Sequence, residues 1–182
     1  MPELALHILD LVQNSVSAGA TRVVVTICFD QEQDALTIVI EDDGKGMSEE
    51  FLQRVTSPFT TSRTTRKVGL GIPLFAQLAE MCDGSLSLAS QVGKGTKMTA
   101  RFRASHVDLP PMGDLNGTIQ TLVIACPERP DFRFVYRRDG REFVFDTGEI
   151  RQALGGLPLN EPEIVAWIDQ YVSEGLNGVE HP

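Results

Sequence analysis

The sequence predicts an α/β chain, an α+β sandwich in which one mixed β-sheet carries helices on one face, with a small α/β extension at the C-terminus. Three observations predict it. Runs rich in Val, Ile and Thr interleave with segments of helical period, without the regular βαβ alternation of a parallel sheet. The 182 residues are 42% hydrophobic and 23% charged, which permits a core and excludes collagen-like, coiled-coil and disordered classes. Residues 1–104 carry 10 basic and 12 acidic side chains, whereas residues 105–182 carry 6 and 13. That change of balance falls near Val107-Asp108-Leu109-Pro110-Pro111-Met112-Gly113-Asp114, a stretch with Pro-Pro and Gly and no apolar periodicity. Two units are therefore expected, residues 1–104 and an acidic extension over residues 105–182.

Leu4 to Ser17 places Leu4, Ile8, Leu11, Val12 and Val16 at helical spacing, and Gly19 offers a C-terminal cap. Arg22 to Phe29 and Leu36 to Ile40 are strand-like, and Asp30 to Ala35 suggests a hairpin loop. A Gly-rich turn, a short helix and a polar loop follow. Leu70 to Met81 then reads as a helix with Pro73 tolerated in its first turn. Ser85 to Ala89 and Thr96 to Phe102 are the next strands. Beyond the linker, Thr118 to Ala125, Phe132 to Arg137 and Glu142 to Phe145 read as strands, with Asp139-Gly140 a hairpin turn. Thr147 is expected to cap a short helix ending at Gly155-Gly156. Asn160, with Pro162 and Glu163, is expected to start a last amphipathic helix.

The net charge is −9 and the isoelectric point is near 4.8, which disfavours an overall grip on nucleic acid or an anionic membrane. An anionic ligand must be held locally. Met1-Pro2-Glu3 lacks a basic leader, and the apolar stretch behind it is broken by polar residues, so a cytoplasmic location is the default expectation. Cys28, Cys82 and Cys126 are odd in number and widely spaced, and they read as small buried hydrophobes.

Three local patterns carry chemistry. On the first helix, His7, Asp10 and Asn14 share one stripe, about 200° to 260° around from the apolar residue Ile8 at ~100° per residue. The run Asp42-Asp43-Gly44-Lys45-Gly46-Met47 follows a strand directly. Its glycines let the backbone approach a flat ligand, and the carboxylate of Asp42 is suited to accept a hydrogen bond from an exocyclic amine such as that of adenine. Residues 51–70 hold Arg54, Arg63, Arg66 and Lys67 and no acid. This basic stretch runs into Val68-Gly69-Leu70-Gly71-Ile72 at a helix start, an arrangement that binds phosphate.

Taken together, Asp10-Leu11-Val12-Gln13-Asn14-Ser15, Asp42-x-Gly44-x-Gly46, Pro58-Phe59-Thr60-Thr61-Ser62-Arg63, Gly69-Leu70-Gly71-Ile72 and Gly93-x-Gly95-Thr96 resemble the ATP-binding domain shared by DNA gyrase, heat-shock chaperones, histidine kinases and mismatch-repair ATPases. This is the GHKL superfamily, or Bergerat fold, and the likeness spans residues 3–103. The resemblance implies ATP and Mg²⁺ as cofactors. It makes Asn14 the Mg²⁺ ligand, Asp42 the adenine acceptor, and Gly44, Gly46, Met47 and Thr96 parts of the adenine pocket. Gly69, Leu70, Gly71 and Ile72 would form the phosphate loop, and Arg63, Arg66 and Lys67 the lid contacts. Asp10 occupies the place of the family's catalytic base, usually Glu, with a reach shorter by about one methylene. Lys67 stands where many relatives have Gly, and Ser17 where mismatch-repair relatives have Asp.

The function expected from this is a histidine-kinase-like, Mg-ATP-binding protein without a phosphoacceptor segment of its own. It would act in signal transduction on an unidentified protein partner in trans, as a kinase or regulator. The alternative is a non-hydrolysing, nucleotide-dependent binding module. Neither nucleic acid nor membrane is expected as a partner, and the oligomeric state is left open.

Overall fold

A computed structural model describes residues 2–56 and 70–181. The helix α1 (Leu4–Ser17) is followed by the strands β1 (Arg22–Asp30) and β2 (Ala35–Asp42) and by the helices α2 (Glu49–Thr56) and α3 (Gly71–Met81). Then come β3 (Ser85–Gln91), β4 (Gly95–Arg103), α4 (Leu115–Ala125), β5 (Asp131–Arg138), β6 (Arg141–Asp146), α5 (Thr147–Ala153) and α6 (Pro162–Glu180). The six strands form one sheet in the order β3-β4-β2-β1-β5-β6. Only β1 and β5 run parallel; the other neighbours are antiparallel.

Alternation along the strands decides which face is covered. Val23, Val25 and Ile27 of β1, Leu36, Ile38 and Ile40 of β2, and Met98, Ala100 and Phe102 of β4 are all buried. Their period of two places them on one side of the sheet. There α3, α1, α4 and α6 pack side by side, each touching the next. Leu4, Ile8, Leu11 and Val12 supply the buried stripe of α1, each worth about 1.5–3 kcal/mol when fully removed from water. One hydrophobic core runs through residues of both the first and the last third of the chain. The linker also touches α1 directly, because the amides of Leu4 and Ala5 donate to the carbonyls of Pro111 and Met112 at 3.0 and 2.8 Å.

Three local expectations need correction. Thr118–Ala125 is not a strand but the greater part of α4. Leu115, Thr118, Ile119, Leu122 and Val123 are its buried residues, a helical spacing that outweighs the β-branched content, because burial is worth more than the tenths of a kcal/mol that separate propensities. Asp114 caps this helix by accepting from the Gly117 amide at 2.8 Å. The cap of α5 is Asp146, which accepts from the amides of Gly148 and Glu149. Thr147 is instead the first helical residue, and its hydroxyl accepts from the Phe132 amide at 2.8 Å. Helix α6 starts one residue later than expected, with Glu161 at the cap position and Pro162 opening the helix. No described helix is long and apolar enough to cross a membrane.

Candidate nucleotide site

A cavity of about 520 Å³ opens between α1, the end of β2, the loop after it, α3 and β4. Its walls include the apolar Leu11, Ile40, Met47, Phe51, Ile72, Leu88 and Met98, with Asn14, Ser15, Asp42 and Thr96 as polar points. That volume and that mix suit a flat, drug-sized ligand held by a few polar contacts.

Asp42 closes one end. Ser15 donates its hydroxyl to Oδ2 at 2.6 Å, and the Gly44 amide donates to Oδ1 at 2.9 Å. Both oxygens are oriented by neutral donors, and among the described residues no cation pairs with them, so each keeps a lone pair for an incoming amine. The neighbouring Asp43 serves a different purpose. Burial pushes its carboxyl up, but the Thr21 hydroxyl and the amides of Thr21 and Arg22 pull it down further, to a net value below the usual range. Asp43 ties the strand end to the α1–β1 turn, which leaves Asp42 to face the cavity.

Two glycines have no substitute. Gly46 has φ +71°, and a Cβ there would stand 2.0 Å from the Gln91 carbonyl oxygen; at Gly95, φ +104°, it would stand 1.9 Å from the Asp42 carbonyl oxygen. Both positions need the left-handed backbone and the close approach that only glycine allows. Gly44 is buried, but a Cβ there would meet Ala18 and Asp42 at 3.0 Å, a milder conflict. Lys45 joins the loop to its surroundings through its amide to Ala18 and its carbonyl from Gly93, at 2.9 and 2.7 Å.

Ser90 on β3 is the hub that sequence reading missed. Its Oγ accepts from the Met47 amide at 2.8 Å, lies 3.0 Å from the Gly95 carbonyl, and shares a 2.8 Å bond with the Thr96 hydroxyl. It thereby fixes Met47 and Thr96, two predicted pocket residues, against each other. Nothing in the sequence marks it except its register opposite Thr96 in the β3–β4 pair. Ser15 was also missed as a partner of Asp42; its only sequence signal is that it follows Asn14.

Asn14 also lies on the cavity wall. Its Nδ2 is buried and has no hydrogen-bond partner among the described residues. A buried amide without a partner is costly, and its carboxamide offers an oxygen suited to a hard cation and a donor suited to a phosphate oxygen. These residues fit a Mg-nucleotide in that respect. Among the described residues no group of three or more His, Cys, Asp or Glu side chains could hold a metal by itself, so a cation here would draw most of its ligands from the phosphates and water.

Next to Asn14, α1 approaches the start of α3 closely. A Cβ on Gly71 would stand 2.5 Å from Asp10 Oδ2. The first amides of α3, at Gly71 and Ile72, have no partner within the helix and point a positive dipole end toward this region. Gly71 and Ile72 are buried, whereas Leu70 is exposed at the cap position and does not line the cavity. Asp10 is exposed beside Gly71 and does not line it either. His7 rests against Phe75 with ring centroids 5.5 Å apart; burial pushes its imidazole below the usual value, with Asp10 pulling weakly the other way. Arg63, Arg66, Lys67 and Gly69 lie outside the described residues.

The family of histidine kinase-, DNA gyrase B- and HSP90-like ATPases matches residues 2–106. Sporulation kinase C of Bacillus subtilis is 30% identical over 88 residues, covering 48% of this chain and 20% of that protein. The sensor histidine kinase ZraS of Escherichia coli is 27% identical over 106 residues, covering 58% and 23%. The chain thus spans about a fifth to a quarter of the length of these curated relatives. A solved structure titled as the N-terminal domain of a DNA repair protein superposes with a TM-score of 0.54 at 17% identity, over 79% of this chain and 52% of that one, a likeness of fold alone. The match of the motifs over residues 2–106, on a mixed sheet that carries its helices on one face, places this chain in the histidine kinase-, gyrase B- and HSP90-like ATPase family, with a histidine-kinase-like ATP-binding domain.

Proposed function

We propose that this chain binds Mg-ATP in the cavity between α1 and β4 and acts on a partner protein in trans, as a kinase or as a regulator. The observation that carries the reading is a pair of polar groups on the cavity wall: a carboxylate oriented by neutral donors at Asp42, and at Asn14 a buried amide with no partner among the described residues. Adenine would donate its exocyclic amine to Asp42, with Met47 and Thr96 forming the walls. Asn14 would hold Mg²⁺ through its carboxamide oxygen, and the amides of Gly71 and Ile72, with Arg63, Arg66 and Lys67, would take the phosphates. Bound magnesium supplies charge neutralisation across the phosphates. Asp10 would accept the proton of the attacking hydroxyl or imidazole as the γ-phosphoryl group passes to the partner's side chain and ADP departs.

The engagement of two of the chain's three histidines supports action in trans. His7 is packed on Phe75, and His106 lies 3.8 Å from Asp83 and 4.0 Å from Asp108. The second reading, a module that binds nucleotide without cleaving it, draws on the placement of Asp10 against Gly71 and outside the cavity wall.

Calorimetric titration with Mg-ATP and Mg-GTP tests the site, and equal affinity for the two would remove Asp42 from its role. Incubation with γ-labelled ATP and candidate partners separates the readings. Label on a partner favours the kinase; tight binding with no label and no phosphate release favours the non-hydrolysing module.

A further inference from the structure

Helix α6 carries a surface that neither the core nor the nucleotide cavity uses. Trp167, the chain's one tryptophan, is 52% exposed and Tyr171 is 41% exposed. Their rings stack with centroids 5.1 Å apart and planes 10° apart. Tyr171 is backed by the rings of Phe143 and Phe145 at 5.5 and 6.4 Å. Gly175 lies so close to Phe143 that a Cβ there would stand 2.2 Å from the ring. The aromatic pair is therefore supported from behind by β6 and presents its outer surface to solvent. Half-exposed Trp and Tyr in a rigid setting are where binding energy concentrates at interfaces.

The charge around the pair has one sign. Glu163 lies one turn before Trp167 and Glu174 one turn after Tyr171 on the same stripe of α6, and both are exposed. Among the described residues, neither they nor Glu161 and Asp169 join an ion pair. From residue 152 to 182 the chain has five acidic side chains and no Lys or Arg. Other acids do meet arginines, Asp131 with Arg151 and Asp146 with Arg133, and at the far end of α6 Glu180 with Arg138. An indole face flanked by carboxylates that join no ion pair among the described residues, Glu174 accepting only from the Gln170 amide, suits a guanidinium, which stacks flat on the ring and forks to the carboxylates in a way that an ammonium cannot. A second copy is a poor occupant, because a twofold contact would press two such acidic faces together.

We propose that the Trp167–Tyr171 face of α6 docks an arginine-rich segment of a partner protein. The face sits on β5 and β6, at the edge of the sheet opposite β3, so a partner seated there leaves the cavity open. It lies outside residues 2–106, and the proposal holds whether or not the cavity binds ATP.

The test uses the full chain and a short dye-labelled peptide alternating Arg and Ala, with Lys and Glu counterparts. The Arg peptide is expected to change the Trp167 emission saturably, the Lys peptide to bind more weakly and the Glu peptide not at all. By dye anisotropy, Trp167→Ala should weaken binding about tenfold or more, while Trp167→Phe keeps most of the affinity. Glu163→Gln with Glu174→Gln should weaken binding and flatten its salt dependence. Equal affinity of the wild type and Trp167→Ala would mean attraction to bulk acidity and would overturn the proposal. So would a Trp167 emission that shifts on dilution together with a dimer in sedimentation, which would make this face a contact between copies.

Discussion

Asp42 and Asp146 both sit at the end of a β-strand, and the protein treats them in opposite ways. Asp146, at the end of β6, has a side chain only 4% exposed and meets the guanidiniums of Arg22 and Arg133, each at 3.2 Å. It also caps α5. Burial pushes its carboxyl up, but Arg133, the Glu149 amide and Arg22 together hold it below the usual range. Asp42, at the end of β2, meets one hydroxyl and one amide and, among the described residues, no cation. A carboxylate already matched by two guanidiniums has nothing left for a ligand, and its work is structural. One oriented by neutral donors at a cavity wall keeps its charge for whatever enters.

Substitutions should separate the two roles. The largest effect on stability is expected from Asp146→Ala, at about 2–3 kcal/mol, from a lost cap and lost charge-assisted bonds; the partner guanidiniums are half exposed and can rehydrate, which keeps the cost below that of a sealed pair. Denaturant titration reads it. The pH dependence has a defined sign: a carboxyl held lower in the folded than in the unfolded state adds stability above about pH 3.9, and that stability is lost as pH falls through the folded value. Asp146→Asn should flatten the stability curve on that acid side.

For the cavity the order reverses. Asp42→Asn should weaken ATP binding about tenfold or more, the loss of one charge-assisted bond, while stability moves by less than about 1 kcal/mol. Asn14→Ala should bring affinity in magnesium down to that measured with chelator. It should leave stability unchanged or slightly raised, because a buried donor without a partner is removed. Calorimetry and thermal unfolding on the same samples read both. If Asn14→Ala instead unfolds the protein, its amide has a structural partner and its assignment in the cavity fails.

Ser90→Ala is a milder perturbation. It strips the Met47 amide and the Thr96 hydroxyl of a partner, costing about 1 kcal/mol, and should weaken ATP binding by only a few-fold. The smallest effect belongs to His7. Its imidazole is lowered by burial, so the unfolded chain binds the proton more readily and stability declines as pH falls below about 6.5. His7→Gln should remove that decline, measured as thermal unfolding between about pH 7 and 5.

Much of residues 1–104 was legible because its signals are local. The helical period of Leu4 to Ser17 matches α1 residue for residue, and the β1 and β2 runs are found within two residues of their ends. The glycines after Asp42 suggest a backbone that approaches a ligand; the close approaches seen at Gly46 and Gly95 are instead to the backbone of Gln91 and Asp42. Ser90 and Ser15 escaped notice because each acts through a residue distant in sequence, across the β3–β4 ladder or from α1 to β2. Beyond residue 104, Thr118–Ala125 misled because its β-branched residues favour a strand locally, while the core offered it a helical seat against α1 and α6.

By itself, the sequence determined the order of elements up to residue 104 and the glycine turns, since these follow from spacing of a few residues and from what a missing Cβ permits. Tertiary structure alone decided that β5 lies parallel on β1, that α4 is a helix, and that Asp42 faces the cavity while Asp43 is spent on Thr21 and Arg22. Those outcomes depend on which surfaces are buried together, and burial is a property of the assembled sheet and its helices that no short window of residues contains.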